Sequence, residues 1–105
     1  MTDPWIKKFQ QETLPKIIAE FNPQKIILFG SRVRGDARKD SDIDVIIIAS
    51  QFEKIPFLKR MPFLLKQFPF PKHIDYLCYT PQEYEKIKNT SSLIIDALEN
   101  AIEIT

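Results

Sequence analysis

The sequence predicts an α/β fold, in which helices and strands alternate along a chain of 105 residues. Two observations carry this prediction. Apolar residues recur at helical spacing over residues 6–21 and again over residues 57–68, which indicates amphipathic helices. Three short apolar runs, at residues 25–29, 44–49 and 73–79, have the length and composition of strands. The order helix, strand, short helix, strand, helix, strand and helices is typical of α/β proteins.

The first helix is predicted to begin at Pro4, because Asp3 before it can cap the helix and proline suits the first turn. Pro15 interrupts the apolar pattern that follows, which predicts either a kink or two short helices. The pair Asn22-Pro23 then predicts a turn that ends the helical segment.

The strands are expected to form the buried center of the fold. Lys25–Phe29 leads directly into Gly30-Ser31, and the polar stretch after it contains Gly35, the second of only two glycines. Both glycines therefore mark a connection in which the backbone approaches something closely or takes an unusual conformation. In the next strand, Val45–Ile48 is continuously apolar, as in a strand that is covered on both faces.

The segment from residue 52 to residue 71 is rich in phenylalanine, proline and lysine. Its apolar residues recur at helical spacing with Pro62 among them, which predicts one broken helix, or a loop followed by a helix. Most of its aromatic residues are expected in the core, whereas exposed ones among basic residues would suit a protein partner. The phenylalanines concerned are Phe52, Phe57, Phe63, Phe68 and Phe70.

The C-terminal part of the chain is predicted to contain two more helices. Thr80-Pro81 indicates an N-cap followed by a first-turn proline. Ser91 or Ser92 can cap the second of these helices. Residues 101–104 are expected to form a short strand or a tail.

Length, composition and net charge indicate the size and class of the protein. We expect residues 1–105 to form a single minimal domain. The hydrophobic content of 44% and charged content of 28% are those of an ordinary soluble protein, and no segment resembles a signal peptide or a membrane span. We therefore expect a cytoplasmic protein with no membrane partner. The net charge of +1 provides no global basic field, so direct nucleic-acid binding is not expected.

A cluster of carboxylates is the first candidate for chemistry. Asp42 and Asp44 are two residues apart at the start of a strand, so their side chains project to the same side, about 6–7 Å apart along the backbone. Asp75 lies in the next apolar strand and completes a set of three if the two strands are neighbours. Such a set is most often a site for one or two magnesium ions that also bind substrate phosphates.

A phosphate site is the second candidate. Gly30-Ser31 lies at a strand-to-helix turn, where exposed backbone N–H groups and a serine hydroxyl suit phosphate oxygens. Arg34 is interpreted as a nucleotide-binding residue, with an ion pair to Asp36 or Asp40 as the alternative. The basic residues that supply positive charge nearby are Arg32, Arg34, Arg38 and Lys39, of which Arg38 and Lys39 are interpreted as part of a solvated charged face.

We expect structural roles for two further residues whose side chains can be reactive, Cys78 and His73. Cys78 cannot form an internal disulfide and lies in an apolar run, so we expect a buried core residue. His73 stands at the beginning of the third strand and is interpreted as a strand-end residue rather than a metal ligand.

Residues 30–35, GSRVRG, followed by residues 41–44, SDID, strongly resemble the signature of the polymerase-β-like nucleotidyltransferases. The resemblance is closest to the minimal nucleotidyltransferases, short single-domain proteins that act as antitoxins to HEPN-domain toxins. It extends over nearly the whole chain, because residues 79–88, YTPQEYEKIK, and residues 91–104, SSLIIDALENAIEI, also resemble that group.

The resemblance implies a polymerase-β-like nucleotidyltransferase fold, with a small mixed sheet flanked by helices. It implies that Gly30 and Ser31 hold nucleotide phosphates and that Asp42 and Asp44 bind magnesium, as two ions. It further implies that Asp75 completes the metal site and helps to activate the attacking hydroxyl. Antitoxins of this group transfer AMP from ATP to a tyrosine hydroxyl of the partner toxin, a ribonuclease. The expected partner is therefore a HEPN-domain toxin, and ATP is the expected substrate.

Three other functions are alternatives to this one. An antitoxin could neutralise by contact alone with a vestigial site, although the intact Gly30, Ser31, Asp42, Asp44 and Asp75 argue against decay. A nucleotidyltransferase of a small molecule, such as an aminoglycoside-modifying enzyme, usually carries a further substrate-binding domain for which this chain has no room. A nucleic-acid polymerase is disfavoured by the near-neutral charge.

Overall fold

The computed structural model describes residues 3–104 and confirms the predicted α/β fold. Its mixed sheet contains β1 (Lys25–Phe29), β2 (Ile43–Ile48), β3 (Ile74–Tyr79) and β4 (Ile102–Glu103), in the order β3-β2-β1-β4. β1 is antiparallel to both β2 and β4, whereas β2 and β3 are parallel. The first three strands agree with the sequence-based prediction to within one residue at each end, and the expected short strand near the C-terminus is β4.

Six helices flank the sheet in the described part of the chain. They are α1 (Pro4–Glu12), α2 (Leu14–Phe21), α3 (Ser31–Arg34), α4 (Phe57–Gln67), α5 (Pro81–Ile87) and α6 (Ser92–Leu98). A single 3₁₀ turn, Ser50–Lys54, lies between β2 and α4. None of the helices within residues 3–104 combines the length and the apolar character needed to cross a membrane.

The N-terminal helices form as their capping residues predict. The Asp3 carboxylate accepts a hydrogen bond from the backbone N–H of Trp5 at 2.8 Å and caps α1. Pro15 lies in the first turn of α2, where its missing N–H is tolerated, so the chain forms two short helices. Asn22 takes a left-handed conformation, with φ of 45°, and ends α2.

The later helices also follow their capping signals. Thr80 and Glu83 form a capping box at the start of α5, in which each side chain accepts a hydrogen bond from the other's backbone N–H. Of the two candidate serines, Ser91 caps α6. The segment before β3 is a turn followed by the continuous helix α4, which runs through Pro62. The Leu58 carbonyl that Pro62 leaves without a helical donor lies on the exposed first turn, where water can satisfy it.

Both faces of the sheet are covered, which explains the continuous apolar run of β2. One face packs against α1, α2 and α4, through residues that include Phe9 and Leu64. The other face packs against α5 and α6, where Tyr84 and Ile94 are buried. The helices α5 and α6 leave the part of this face around Asp44 uncovered, and the candidate site lies there.

The phenylalanine-rich segment divides between the two predicted roles. Phe52 and Phe68 are buried in the core, and Phe70 is packed against it. Phe57 and Phe63 are exposed on α4. The segment therefore supplies core residues and also leaves aromatic side chains at the surface.

Arg60 is a buried charge that the sequence analysis did not single out. It is 4% exposed and lies on α4. Its guanidinium donates hydrogen bonds to the Ile55 carbonyl at 2.9 Å and the Cys78 carbonyl at 3.1 Å, and to both carboxylate oxygens of Glu83 at 2.6 and 3.2 Å. These bonds tie α4 to the outer edge of β3 and to α5.

We expect Glu83→Gln to lower the free energy of unfolding by about 2 kcal/mol at neutral pH, because it leaves the buried Arg60 charge without its partner. The hydrogen bond from Arg60 holds the pKa of Glu83 below its ordinary value of 4.5. The folded state therefore favours the carboxylate, so this stabilisation is present above pH 4.5 and is lost as the pH falls through the lower folded-state pKa. Urea unfolding as a function of pH measures it, with exposed Glu99→Gln as control. Equal stabilities of the two variants would contradict the expectation.

Candidate active site

The parallel pairing of β2 and β3 brings the three predicted carboxylates together. Asp44 is directly opposite Asp75 in the strand register. Asp42 precedes β2 by one residue and projects to the same side as Asp44, because side chains alternate along a strand. Asp42 and Asp75 also approach His73, the residue before β3. The condition set by the sequence, that the strands carrying Asp44 and Asp75 are neighbours, is therefore met.

The pKa of Asp44 shows the effect of the clustered negative charge. Burial and then the nearby Asp75 and Asp42 carboxylates raise the pKa of Asp44 from 3.8 to about 6, and a hydrogen bond with Asp75 adds to this effect. Arg34 acts in the opposite direction. The three carboxylates thus repel one another at neutral pH, and a bound cation would relieve that repulsion.

The donor atoms of the cluster fit a hard divalent cation. Asp42, His73 and Asp75 each offer one ligand atom, and these atoms all lie within 4.8 Å of one another. Asp44 adjoins this group because it is paired with Asp75 in the register of β2 and β3. Carboxylate oxygens are the ligands that magnesium prefers in proteins, so Asp42, Asp44 and Asp75 could hold it together.

Gly30 is where the backbone makes the close approach that the sequence predicts. It has φ of 86°, in the region that favours glycine. A Cβ atom at this position would meet the side chain of Asp44, with Cγ only 3.0 Å away. Because glycine has no side chain, the Asp44 carboxylate has room to lie between the end of β1 and β3.

Ser31 and Arg34 extend the site from Gly30. These three residues and Asp44 line a depression of about 320 Å³. The Arg34 side chain is 47% exposed, and its Nε lies 3.4 Å from the Asp36 carboxylate, which is one of the two ion pairs considered as alternatives. The same guanidinium also lowers the pKa of Asp44. Arg34 is thus in reach of both the loop carboxylate and the candidate active site.

Arg32 corrects one sequence-based expectation, because its side chain is buried and does not supply charge to the phosphate site. Nε donates to the Ser41 carbonyl at 2.8 Å, and Nη2 donates to the carbonyls of Arg38 and Lys39 at 3.2 and 3.1 Å. Nη1 pairs with Asp3 at 3.0 Å. Arg32 therefore fixes the loop that leads into β2 and links it to the start of α1.

His73 is the residue of this site that the sequence analysis set aside. It does lie at the end of a strand, as interpreted, but its Nε2 is 3.3 Å from Oδ1 of Asp75. The signal that could have found it is the spacing of two residues between His73 and Asp75, which places both side chains on the same side of the chain.

Cys78 is confirmed as a core residue. Its side chain is buried on the face of β3 that packs against α4, and its residue is only 2% exposed. Burial raises the pKa of the Cys78 thiol to about 12, so the thiol stays protonated at neutral pH. Cys78 therefore lacks the thiolate character that a nucleophile needs.

Comparison with known proteins agrees with this geometry. The family model described as a nucleotidyltransferase domain matches residues 11–104. The chain is 33% identical over 96 residues to a Methanocaldococcus jannaschii protein named “Putative protein adenylyltransferase”, a match that covers 90% of this chain and 89% of the relative. A shorter match of 38 residues, 47% identical, is to the protein adenylyltransferase MntA of Thermococcus cleftensis, and covers 36% of this chain and 35% of that relative.

A solved structure shares the fold. The crystal structure of a Sulfolobus solfataricus protein, described as a “putative nucleotidyltransferase”, superposes with a TM-score of 0.60 over 91% of this chain and 76% of that chain. The sequence identity is 21%.

The chain belongs to the nucleotidyltransferase-domain family. It is a nucleotidyltransferase of the minimal type that the motifs at residues 30–44 predict.

Proposed function

We propose that this chain is an antitoxin that transfers AMP from ATP to a tyrosine hydroxyl of a partner HEPN ribonuclease and thereby neutralises it. The observation that carries the proposal is the juxtaposition of the Asp42, Asp44 and Asp75 carboxylates with Gly30. The names of two relatives as protein adenylyltransferases support a protein as the acceptor. The resemblance of residues 30–44 to the minimal nucleotidyltransferases supports a HEPN toxin as the partner.

The carboxylates have two roles in this proposal, metal binding and proton acceptance. Asp42, Asp44 and Asp75 hold magnesium, as two ions, which when bound offsets the triphosphate charge and polarises the α-phosphate. Asp75 also accepts the proton of the attacking hydroxyl, and its side chain is exposed enough to release that proton to water. His73 positions the Asp75 carboxylate through the contact between their side chains.

Gly30, Ser31 and Arg34 bind the triphosphate in this proposal. The glycine lets backbone N–H groups approach the phosphate oxygens, and the serine hydroxyl donates a hydrogen bond to them. The Arg34 guanidinium faces the same depression and contributes positive charge. ATP and magnesium are both present in the cytoplasm, where we place the reaction.

The bond changes balance as a single displacement. The tyrosine oxygen forms a bond to the α-phosphorus as the bond from that phosphorus to the bridging oxygen of the β-phosphate breaks. Pyrophosphate leaves, and the hydroxyl proton passes to Asp75. The products are an AMP ester of the tyrosine, pyrophosphate and a proton.

We expect Arg34→Ala to raise KM for ATP about tenfold, because it removes a charge-assisted contact to the triphosphate. The fold should be retained, since the Arg34 side chain is exposed and pairs only weakly with Asp36. The matched control is Arg38→Ala, because the hydrogen bonds of Arg38 are made by its backbone. Steady-state kinetics over a range of ATP concentrations measures the effect. An equal change of KM in both variants would mean that Arg34 contributes only general surface charge.

Neutralisation of the toxin tests the proposed reaction against neutralisation by contact alone. The partner ribonuclease is incubated with ATP, magnesium and equimolar wild type or Asp44→Asn, and RNA cleavage is then measured. We expect the wild type to silence the ribonuclease and Asp44→Asn to leave it active, even where both proteins bind it. Equal neutralisation by Asp44→Asn would establish an antitoxin that acts by binding.

A further inference from the structure

An apolar cleft of about 350 Å³ opens beside the carboxylates. Its lining includes Asp44 of β2 and both Asp75 and Leu77 of β3. Leu58 of α4 and Leu93 of α6 stand on its two walls. The cleft is therefore lined by β1, β2, β3, α4 and α6, and its charged groups are the two carboxylates and the Arg60 guanidinium.

The rim of the cleft is unusually apolar for an exposed surface. Leu58 is 85% exposed, Leu93 is 60% exposed and Phe57 is 50% exposed. Apolar side chains grouped around a concave site are typical of surfaces that another molecule covers. Phe57 is already held in place by two contacts. Its ring stacks on that of Tyr79 with the ring centroids 5.7 Å apart, and the Arg60 Cζ lies 5.4 Å from the Phe57 ring centroid. This wall of the cleft is thus formed before anything binds.

The position of the cleft relative to the phosphate depression indicates which reactant enters it. Phe29, Asp44 and Asp75 lie in one row across the sheet, because each is paired with the next in the register. All three residues line the cleft, which extends from the row past Asp75 to Leu77 and α4, whereas Gly30, which follows Phe29 at the other end of the row, lines only the phosphate depression. An in-line displacement places the attacking oxygen opposite the leaving group. With the leaving phosphates near Gly30, the acceptor approaches from the side of Asp75.

We infer that the cleft binds the ring of the acceptor tyrosine, and that Leu58 and Leu93 determine the specificity for that acceptor. The inference rests on the proposed function. A side chain that fills an apolar cleft and presents a hydroxyl to a carboxylate in its lining needs an apolar body with a polar tip, as tyrosine has. Serine and threonine have no comparable apolar body with which to fill the cleft.

Binding of a small acceptor tests the location of the site. N-acetyl-L-tyrosinamide is titrated into protein with labelled leucine methyl groups, and N-acetyl-L-serinamide is the control probe. We expect the methyl resonances of Leu58 and Leu93 to shift with the tyrosine probe alone. A lack of response from both residues at saturating probe would overturn the inference, whether or not transfer is measured.

Kinetics of AMP transfer to the tyrosine probe tests the specificity. Leu58→Ser is expected to raise KM for the acceptor about tenfold and to leave KM for ATP unchanged, because Leu58 lines the cleft and not the phosphate depression. Leu93→Ser is expected to raise KM for the acceptor to a similar extent, but Leu93 lines both sites, so the KM of this variant for ATP is not diagnostic. The control is Ile95→Ser, because Ile95 is exposed on the same helix as Leu93 and lies outside the cleft. All three positions are exposed, so the variants should fold.

The outcomes separate this inference from the proposed function. Transfer by the wild type with unchanged acceptor KM in both leucine variants would leave the reaction intact and overturn the cleft as the acceptor site. A rise in KM for ATP in Leu58→Ser instead would assign the cleft to the nucleoside and also overturn the inference. Failure of the wild type to bind ATP or to release pyrophosphate would contradict the proposed function, and the methyl titration would still decide where a tyrosine ring binds.

Discussion

Asp44→Asn is expected to reduce AMP transfer by about a thousandfold and to make the metal-free protein more stable. The loss of transfer follows from the position of Asp44 between Gly30 and Asp75, where in the proposed reaction its charge would help to hold the metal beside the triphosphate. The gain in stability follows from the same position. Asn removes a charge that lies, partly buried, beside two other carboxylates.

The sign of the stability effect can be worked out from the pKa of Asp44. It is about 6 in the folded protein and 3.8 ordinarily, so between these values the folded state binds more protons than the unfolded state. The free energy of unfolding therefore falls as the pH rises from 3.8 to about 6 and stays lower above it. A shift of this size corresponds to about 3 kcal/mol, and solvent screening of a partly exposed carboxyl reduces it to about 1 kcal/mol.

Urea unfolding without metal and assays with ATP and magnesium measure the two effects. Asp40→Asn is the control, because Asp40 is an exposed loop carboxylate of the same charge. Magnesium should raise the stability of the wild type and have little effect on Asp44→Asn, since ligands stabilise only the states that bind them. Transfer within tenfold of wild type in Asp44→Asn, or a stability equal to that of Asp40→Asn, would contradict the role assigned to Asp44.

Gly30→Ala is expected to abolish transfer, and Gly35→Ala is expected to leave it largely intact. Both glycines have positive φ, 86° and 91°, so alanine is strained by about 1 kcal/mol or more at either position. Only at Gly30 does the added Cβ meet another group, the side chain of Asp44, whereas nothing lies within 4 Å of a Cβ at Gly35. Gly35→Ala therefore reports the effect of backbone strain in the same loop without displacement of the Asp44 carboxylate, which only Gly30→Ala causes.

Thermal unfolding and transfer assays on the two glycine variants give the comparison. We expect a loss of stability in both variants, larger in Gly30→Ala because its φ of 86° with ψ of −168° lies in a region essentially restricted to glycine, and a loss of transfer in Gly30→Ala alone. Gly30→Ala should also bind magnesium more weakly by calorimetry, because Asp44 cannot keep its place. Equal activities of the two alanine variants would show that the close approach of Gly30 to Asp44 is not needed for the reaction.

The parts of the fold that were predictable from sequence are those governed by local chemistry. β1 was predicted with its observed bounds, because its apolar run is followed at once by Gly30. The cap at Thr80 and the two short helices around Pro15 follow from proline geometry and side-chain hydrogen bonds. The pairing of Asp42 and Asp44 on one side follows from strand alternation alone.

The parts that were not predictable depend on contacts between distant segments. Arg32 and Arg34 look alike in the sequence. Only the folding of the loop between α3 and β2 buries the Arg32 side chain and leaves the Arg34 side chain facing the site. Arg60 stands in a basic, exposed-looking helix, yet its partner Glu83 comes from a different element. The place of His73 in the carboxylate cluster follows from the parallel register of β2 and β3, which no local pattern specifies.

Intact mass spectrometry of the protein encoded next to this one tests the central claim most directly. That protein is incubated with this chain, ATP and magnesium, with Asp44→Asn in a parallel reaction. The account predicts one or more AMP-sized increments with the wild type alone, located on tyrosine by fragmentation. A stable complex between the two proteins without any increment would contradict the proposed transfer and leave neutralisation by contact as the function.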